Sequence, residues 1–265
     1  MSDMASRPAE LLSDDEVLEF VVRGYRIVET DFSSDFHESI CEQLKDVGHV
    51  GNGILDAVPA LDEVYQHPAV RGTLISLLGE DYEMNGHRHL HTNPPGSRSQ
   101  GWHQDGTNVR HHQVWCVLGM YYPQDVPLEM GPTVVMPGTH FRNAPTDRMQ
   151  TYANLRGQVP VAVDAGTVAI THYDIWHAAT LNRTDRERHM LKFLFDRKSE
   201  PTAPSWDHDV NLSADQVQTR ISEMVGVQGY GSDLYKEWEL RKGMWKWMLG
   251  EGGAMPAGAF KDMLT

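Results

Sequence analysis

The stretch Gln100-Gly101-Trp102-His103-Gln104-Asp105-Gly106 carries the densest chemical signal in the chain. In an extended segment, side chains two residues apart point the same way. His103 and Asp105 can therefore offer an imidazole nitrogen and a carboxylate oxygen to one metal ion. Two such ligands fill only part of an octahedron. A third histidine from elsewhere completes a facial triad and leaves three positions open. Oxygen-activating Fe(II) uses that arrangement because a co-substrate and O2 must bind together. Taken alone, His-x-Asp is also an ordinary surface pair, and a chain with 14 histidines can contain one by chance.

The next signal lies far downstream. Tyr173-Asp174-Ile175-Trp176-His177-Ala178-Ala179-Thr180 runs into the polar turn Asn182-Arg183-Thr184-Asp185 and then to Arg188. With the turn centred between Asn182 and Arg183, the flanks form a hairpin in which His177 lies opposite Arg188. Opposed residues project from one face. One hairpin would then supply the third metal ligand and a fixed positive charge beside it. That pair suits a dicarboxylate which chelates the metal at one end and has its far carboxylate held by the planar guanidinium. The alternative for Arg188 is a surface charge among Arg183, Arg186 and Glu187. The apolar residues Met190, Leu191, Phe193, Leu194 and Phe195 after it make an inward position plausible.

Working outward, residues 114–122, 133–136, 159–163, 167–171 and 188–195 read as short strands. They are separated by breakers such as Pro94-Pro95-Gly96, Gly131-Pro132, Pro137-Gly138 and Ala165-Gly166. Many short strands at close intervals predict a sandwich or barrel. Before them, an acidic helix start at Ser13-Asp14-Asp15-Glu16 is followed by Val17, Leu18, Phe20 and Val21 at helical spacing, with Gly24 as the stop. A short strand over 25–28, a second helix over 33–47 and a third over 59–78 complete the first part. Helical spacing returns over 212–249, where Trp238, Met244, Trp245 and Met248 recur, either packing on the core or meeting another subunit. The expectation is one domain over 1–265: a helical part over about 12–79, a β core over about 80–197 and a helical extension over about 205–250. The fold class expected is mainly β with a helical jacket.

These residues together resemble the phytanoyl-CoA dioxygenase family of Fe(II)/2-oxoglutarate-dependent oxygenases, over about residues 12–196. Leu12-Ser13-Asp14-Asp15-Glu16-Val17 with Gly24-Tyr25 resembles the family's start, and Trp102-His103-Gln104-Asp105-Gly106 its proximal iron motif. Gly131-Pro132-Thr133-Val134-Val135-Met136-Pro137-Gly138-Thr139-His140 resembles its central segment. His177 and Arg188 have its spacing between distal ligand and 2-oxoglutarate arginine. The resemblance implies a double-stranded β-helix, a cupin-like jelly roll with iron in one mouth. It implies His103, Asp105 and His177 as Fe(II) ligands, Arg188 as the 2-oxoglutarate anchor, and O2-driven oxidation, usually hydroxylation, with release of succinate and CO2. It also implies that Gln100 and Thr133 touch 2-oxoglutarate; a loop glutamine and an ordinary strand threonine are the alternatives. The carboxylate of Asp105 favours oxygenation over halogenation, which needs that position vacated. Two other functions share the sequence features: a cupin-like metalloenzyme that does not use 2-oxoglutarate, and a non-catalytic relic with a metal site.

His87, His89 and His91 alternate and share one face if their segment is a strand, lining either a polar pocket or an exposed surface. His111 and His112 read as loop residues, His140 as part of a Pro-Gly turn, and Trp176 and Tyr121 as core. The net charge of −14 repels phosphate backbones, so nucleic acid is not an expected partner, and it tilts the small-molecule substrate toward a neutral or cationic one. Cys41 and Cys116 form no CxxC pair. Neither an apolar leader nor a run of membrane-span length is apparent. A soluble cytoplasmic protein is expected, without a membrane partner. Its C-terminal helices serve as a lid or as a homodimer contact.

Overall fold

Ser13 opens the first helix: its backbone N–H and hydroxyl both donate to the Glu16 carboxylate, at 2.8 and 2.9 Å. Acidic residues fill that first turn, where the helix dipole favours them. Gly24 closes helix α1 (Asp14–Arg23) in the left-handed conformation that glycine adopts without steric cost. The computed structural model describes residues 7–48, 50–106, 110–143, 153–226 and 233–252. Strand β1 (Tyr25–Glu29) follows, then helices α2 (Ser34–Val47), α3 (Ile54–Ala57), α4 (Ala60–Gln66) and α5 (Pro68–Leu78). Next come β2 (Glu83–Asn93), β3 (Cys116–Tyr122), β4 (Thr133–Val135), β5 (Val159–Pro160), β6 (Thr167–His172), β7 (His177–Ala179) and β8 (Arg188–Asp196). Helices α6 (Ala214–Val225) and α7 (Asp233–Met248) end the described chain.

The single helix expected over 59–78 is two. Pro68 has no N–H and pushes His67 into an extended conformation (ψ 135°), so the chain breaks there and α5 restarts with proline in its first turn. The mainly-β expectation is also corrected: helices hold more residues than strands. The strands are antiparallel and form a five-stranded sheet, β1-β6-β3-β8-β2, and a three-stranded sheet, β5-β4-β7. The small sheet is made of strands of two or three residues. β5 stops at Pro160, which cannot donate to a ladder, and Val163 returns only as a bridge to Val126.

Alternation divides the large sheet into two faces. Val117, Tyr121, Val168, Ile170, Leu191, Phe193 and Phe195 pack with Val17, Leu18, Phe20 and Leu74 of the helices in the main core. Each such side chain fully buried contributes roughly 1.5–3 kcal/mol. Met244, Trp245, Trp247 and Met248 of α7 join the same core, so the C-terminal stripe packs on the chain's own interior. On the other face, Met120, Tyr122, Ala169 and Met190 meet Val135 and Val161, which stacks the two sheets.

The hairpin expected from His177 to Arg188 is not formed. β7 pairs with β4, whereas β8 pairs with β2 and β3. The connection crosses between sheets and is organised by the buried Asn182. Its Nδ2 donates to the carbonyls of Asn93 and Arg186, both at 2.8 Å, and its Oδ1 accepts from the Thr184 hydroxyl at 2.7 Å.

Candidate metal centre

His103 and His177 are held opposite each other by reciprocal backbone hydrogen bonds of 3.1 and 2.9 Å, which place both rings on one face. Their ring centroids lie 4.4 Å apart. Asp105, two residues on from His103, brings Oδ1 to 3.8 Å from His103 Nε2 and Oδ2 to 3.5 Å from His177 Nε2. One ligand atom from each residue lies within 4.8 Å of the other two, and among the described residues no other trio of such groups converges this way.

The rings are oriented from behind. His103 Nδ1 donates to the Gly101 carbonyl at 2.9 Å and His177 Nδ1 to the Ile175 carbonyl at 3.1 Å. Each bond assigns the proton to Nδ1 and leaves the Nε2 lone pair aimed at the centre, the support that metal-binding histidines require. Burial, together with His103 and Lys192, pushes the His177 imidazole down to about 4 against the pull of Asp105. It is therefore a neutral ligand at physiological pH. Burial would raise the Asp105 carboxyl, but His177, Lys192 and His103 outweigh it and hold it below its usual 3.8. Two imidazoles and one ionised carboxylate are the donor set that a divalent transition metal takes.

Arg188 reaches the inter-sheet space from β8. It is 1% exposed, and among the described residues its guanidinium makes a single long hydrogen bond, from Nη1 to Thr133 Oγ1 at 3.4 Å. Its buried Nε has no partner among the described residues. A charged guanidinium this poorly satisfied leaves a cradle for an anion. The Thr133 hydroxyl stands beside the Arg188 guanidinium. Gln100 is exposed, and its side-chain oxygen accepts the Ala179 N–H at 3.1 Å. The hydrogen-bonding demand of a short strand edge accounts for that placement.

The sequence reading missed Lys192. It lies four residues beyond Arg188, on the same face of β8, is 7% exposed, and donates from Nζ to Asp105 Oδ2. A lysine at even spacing from an inward arginine, within an apolar run, was the available signal. Also missed was a buried network behind the metal motif. His111 Nε2 donates to Asp174 Oδ2 at 3.1 Å, and the Asp174 N–H donates to His172 Nδ1 at 3.1 Å. His172 Nε2 donates to the Gln113 carbonyl at 3.2 Å. His140 Nε2 donates at 3.2 Å to the Val21 carbonyl, tying its turn to helix α1. Trp176 turns to the Arg142 carbonyl, and Tyr121 to His37 in the main core.

A family model described as Phytanoyl-CoA dioxygenase (PhyH) matches residues 8–190. The chain belongs to the PhyH family. No curated protein matches this PhyH member. Solved structures share its fold. HygX from Streptomyces hygroscopicus, with nickel and 2-oxoglutarate bound, is 14% identical with a TM-score of 0.59, covering 77% of this chain and 93% of that one. The non-heme alpha ketoglutarate dependent carbocyclase SnoK from nogalamycin biosynthesis is 20% identical with a TM-score of 0.56, covering 78% and 91%. Apo ThoJ, a non-heme monooxygenase, is 17% identical with a TM-score of 0.55, covering 78% and 97%.

Proposed function

We propose that this PhyH member is an Fe(II)- and 2-oxoglutarate-dependent dioxygenase that hydroxylates, or otherwise oxidises, a small organic molecule. The observation that carries the reading is Arg188: a buried, under-satisfied guanidinium facing the space beside a His-Asp-His triad. A metal site working without 2-oxoglutarate has no need of it. We read the two stacked antiparallel sheets as a double-stranded β-helix. The two free thiols support a reducing, cytoplasmic setting. Among the described residues no helix is long and apolar enough to cross a membrane.

In this reading His103 Nε2, an oxygen of Asp105 and His177 Nε2 hold the iron. Arg188 takes the far carboxylate of 2-oxoglutarate through paired N–H donors, with the Thr133 hydroxyl beside it. The apolar residues Met120, Met190 and Val135 around this space exclude water and strengthen that ion pair. Lys192 keeps the Asp105 carboxylate ionised and oriented. With iron and 2-oxoglutarate bound, the centre supplies oxidative decarboxylation: one oxygen atom of O2 enters succinate and the other the oxidised substrate, with release of CO2. Anaerobic addition of Fe(II) and 2-oxoglutarate should give a weak visible charge-transfer band that His177→Ala abolishes. Succinate release should require both Fe(II) and O2. Metal binding without either signal would return the chain to a metalloprotein that does not use 2-oxoglutarate.

A further inference from the structure

His87, His89 and His91 are used neither by the triad nor by Arg188, yet the structure puts them on the same inner face. In the β2–β8 register His89 lies opposite Lys192, His91 opposite Met190 and Asn93 opposite Arg188. His87 lies within an irregularity of that register, and its ring packs 4.2 Å from that of His89; the His89 and His91 centroids are 6.2 Å apart. The row runs from exposed His87, through half-buried His89, to half-buried His91 near the metal-binding groups.

Hydrogen-bond accounting leaves this row open. His87 Nδ1 and His89 Nε2 share one bond of 3.4 Å, and among the described residues the His91 ring makes no hydrogen bond. The positive groups facing the space are Lys192 and Arg188. Of the carboxylates, Asp105 is engaged by Lys192, and Asp196 accepts from Asn85 Nδ2 at 2.5 Å and from Cys116 Sγ at 2.8 Å. Burial pushes His91 down to about 4, and Lys192, His89 and Arg188 add to that against Asp105. Beside the row, Leu118 and Leu194 form an apolar floor with Cys116 and Tyr173 on the same side of the sheet. The lining thus sets imidazole N–H groups and the Lys192 ammonium beside an apolar patch, and the carboxylates near them, Asp105 and Asp196, are already engaged.

We propose that His87, His89 and His91, with Lys192 at the foot of the row, form the substrate-recognition wall. The substrate is a small organic acid: its carboxylate is held by the imidazoles and the ammonium, and its apolar body lies against the half-buried Tyr173 ring that covers Leu118 and Leu194. The local lining thereby reverses the tilt toward a neutral or cationic substrate that the net charge suggests.

This rests on the 2-oxoglutarate reading, and the experiment separates the two. The full-length protein is loaded anaerobically with Fe(II) and saturating 2-oxoglutarate, and the charge-transfer band is recorded first. Benzoate and hexanoate are then titrated in parallel with benzamide and hexanamide, following the band and the heat of binding. Each acid is expected to bind at least about tenfold tighter than its amide, the discrimination that one charge-assisted hydrogen bond supplies. In His87→Leu and His89→Leu the preference should fall below about threefold with the band retained, whereas His89→Gln, which keeps a hydrogen-bonding group, should hold most of it. Thermal melts confirm folding; if the leucine variants do not fold, the wild-type preference decides. Several outcomes overturn the proposal: equal binding of acid and amide, no binding of either acid at millimolar concentration, displacement of the band by the acids, or full preference in both folded leucine variants. A wild-type protein that never develops the band overturns the 2-oxoglutarate reading, and this inference with it.

Discussion

Lys192 on β8 donates to Oδ2 of Asp105, the same oxygen that stands 3.5 Å from His177 Nε2, so a buried ammonium shares a carboxylate with the candidate metal position. Its charge lowers both Asp105 and His177. Both groups must be deprotonated to bind a metal. Lys192→Met removes a lowering influence from each, so both titrate at higher pH. The acidic limb of Co(II) binding, followed by visible absorbance against pH, should move to higher pH. An unmoved limb, or one shifted downward, would mean the ammonium does not act on the ligands.

Arg188→Met should weaken 2-oxoglutarate binding by on the order of tenfold to a hundredfold, since a charge-assisted hydrogen bond contributes about 1.5–3 kcal/mol. Arg188→Lys should recover only part, because an ammonium lacks the planar fork. Titration of the anaerobic Fe(II) complex with 2-oxoglutarate reads this directly. Wild-type affinity in the methionine variant would place the far carboxylate elsewhere.

Gly106 follows the metal motif for a packing reason. A Cβ there would stand 2.1 Å from Asp174 Oδ1, inside the buried His111–Asp174–His172 network. Gly106→Ala should displace the neighbouring Asp105 and cost about tenfold or more in metal affinity, the scale seen when support behind a metal ligand is lost. Isothermal titration with Ni(II) measures it. Adding Asp174→Ala, which removes the obstructing carboxylate, should restore part of the loss. Strictly additive losses would show that the two sites do not touch.

Asp14 does more than begin a helix. It accepts from Trp206 Nε1 and His208 Nδ1, both at 2.7 Å, and from the Asp209 N–H at 2.9 Å, tying α1 to the segment before α6. Against burial, these bonds hold its carboxyl below the usual 3.8. A depressed acid stabilises the fold above its unfolded value, and the contribution is lost as pH falls through the folded one. Asp14→Asn should therefore lower stability at pH 7 by about 1–3 kcal/mol, and the gap to wild type should close toward pH 3. Denaturant melts at the two pH values test it; a gap independent of pH would assign the loss to shape alone.

The candidate ligands His103 and Asp105 were legible because their signal is local. Residues two apart in a strand share a face, so His103 and Asp105 declare a common direction without knowledge of the rest of the chain. The acidic helix start at Ser13 to Glu16 and the stop at Gly24 were readable for the same reason, whereas the inward position of Arg188 was argued in part from a hairpin that does not form. The break at Pro68 was also written in the sequence, since proline constrains the residue before it, but helical spacing on both sides concealed it.

Which strand lies beside which is a different kind of information. His177 and Arg188 were expected in one hairpin and instead stand on two sheets, joined by a crossing that Asn182 organises. Lys192 meets Asp105 across 87 residues of chain, and the histidine row gains its meaning only from the β2–β8 register. The sequence by itself determined the donor set and the direction each side chain takes from its own strand. The tertiary structure alone decided which donors face one another, because strand pairing is set by long-range backbone hydrogen bonds and by burial of both sheet faces, and no local spacing encodes either.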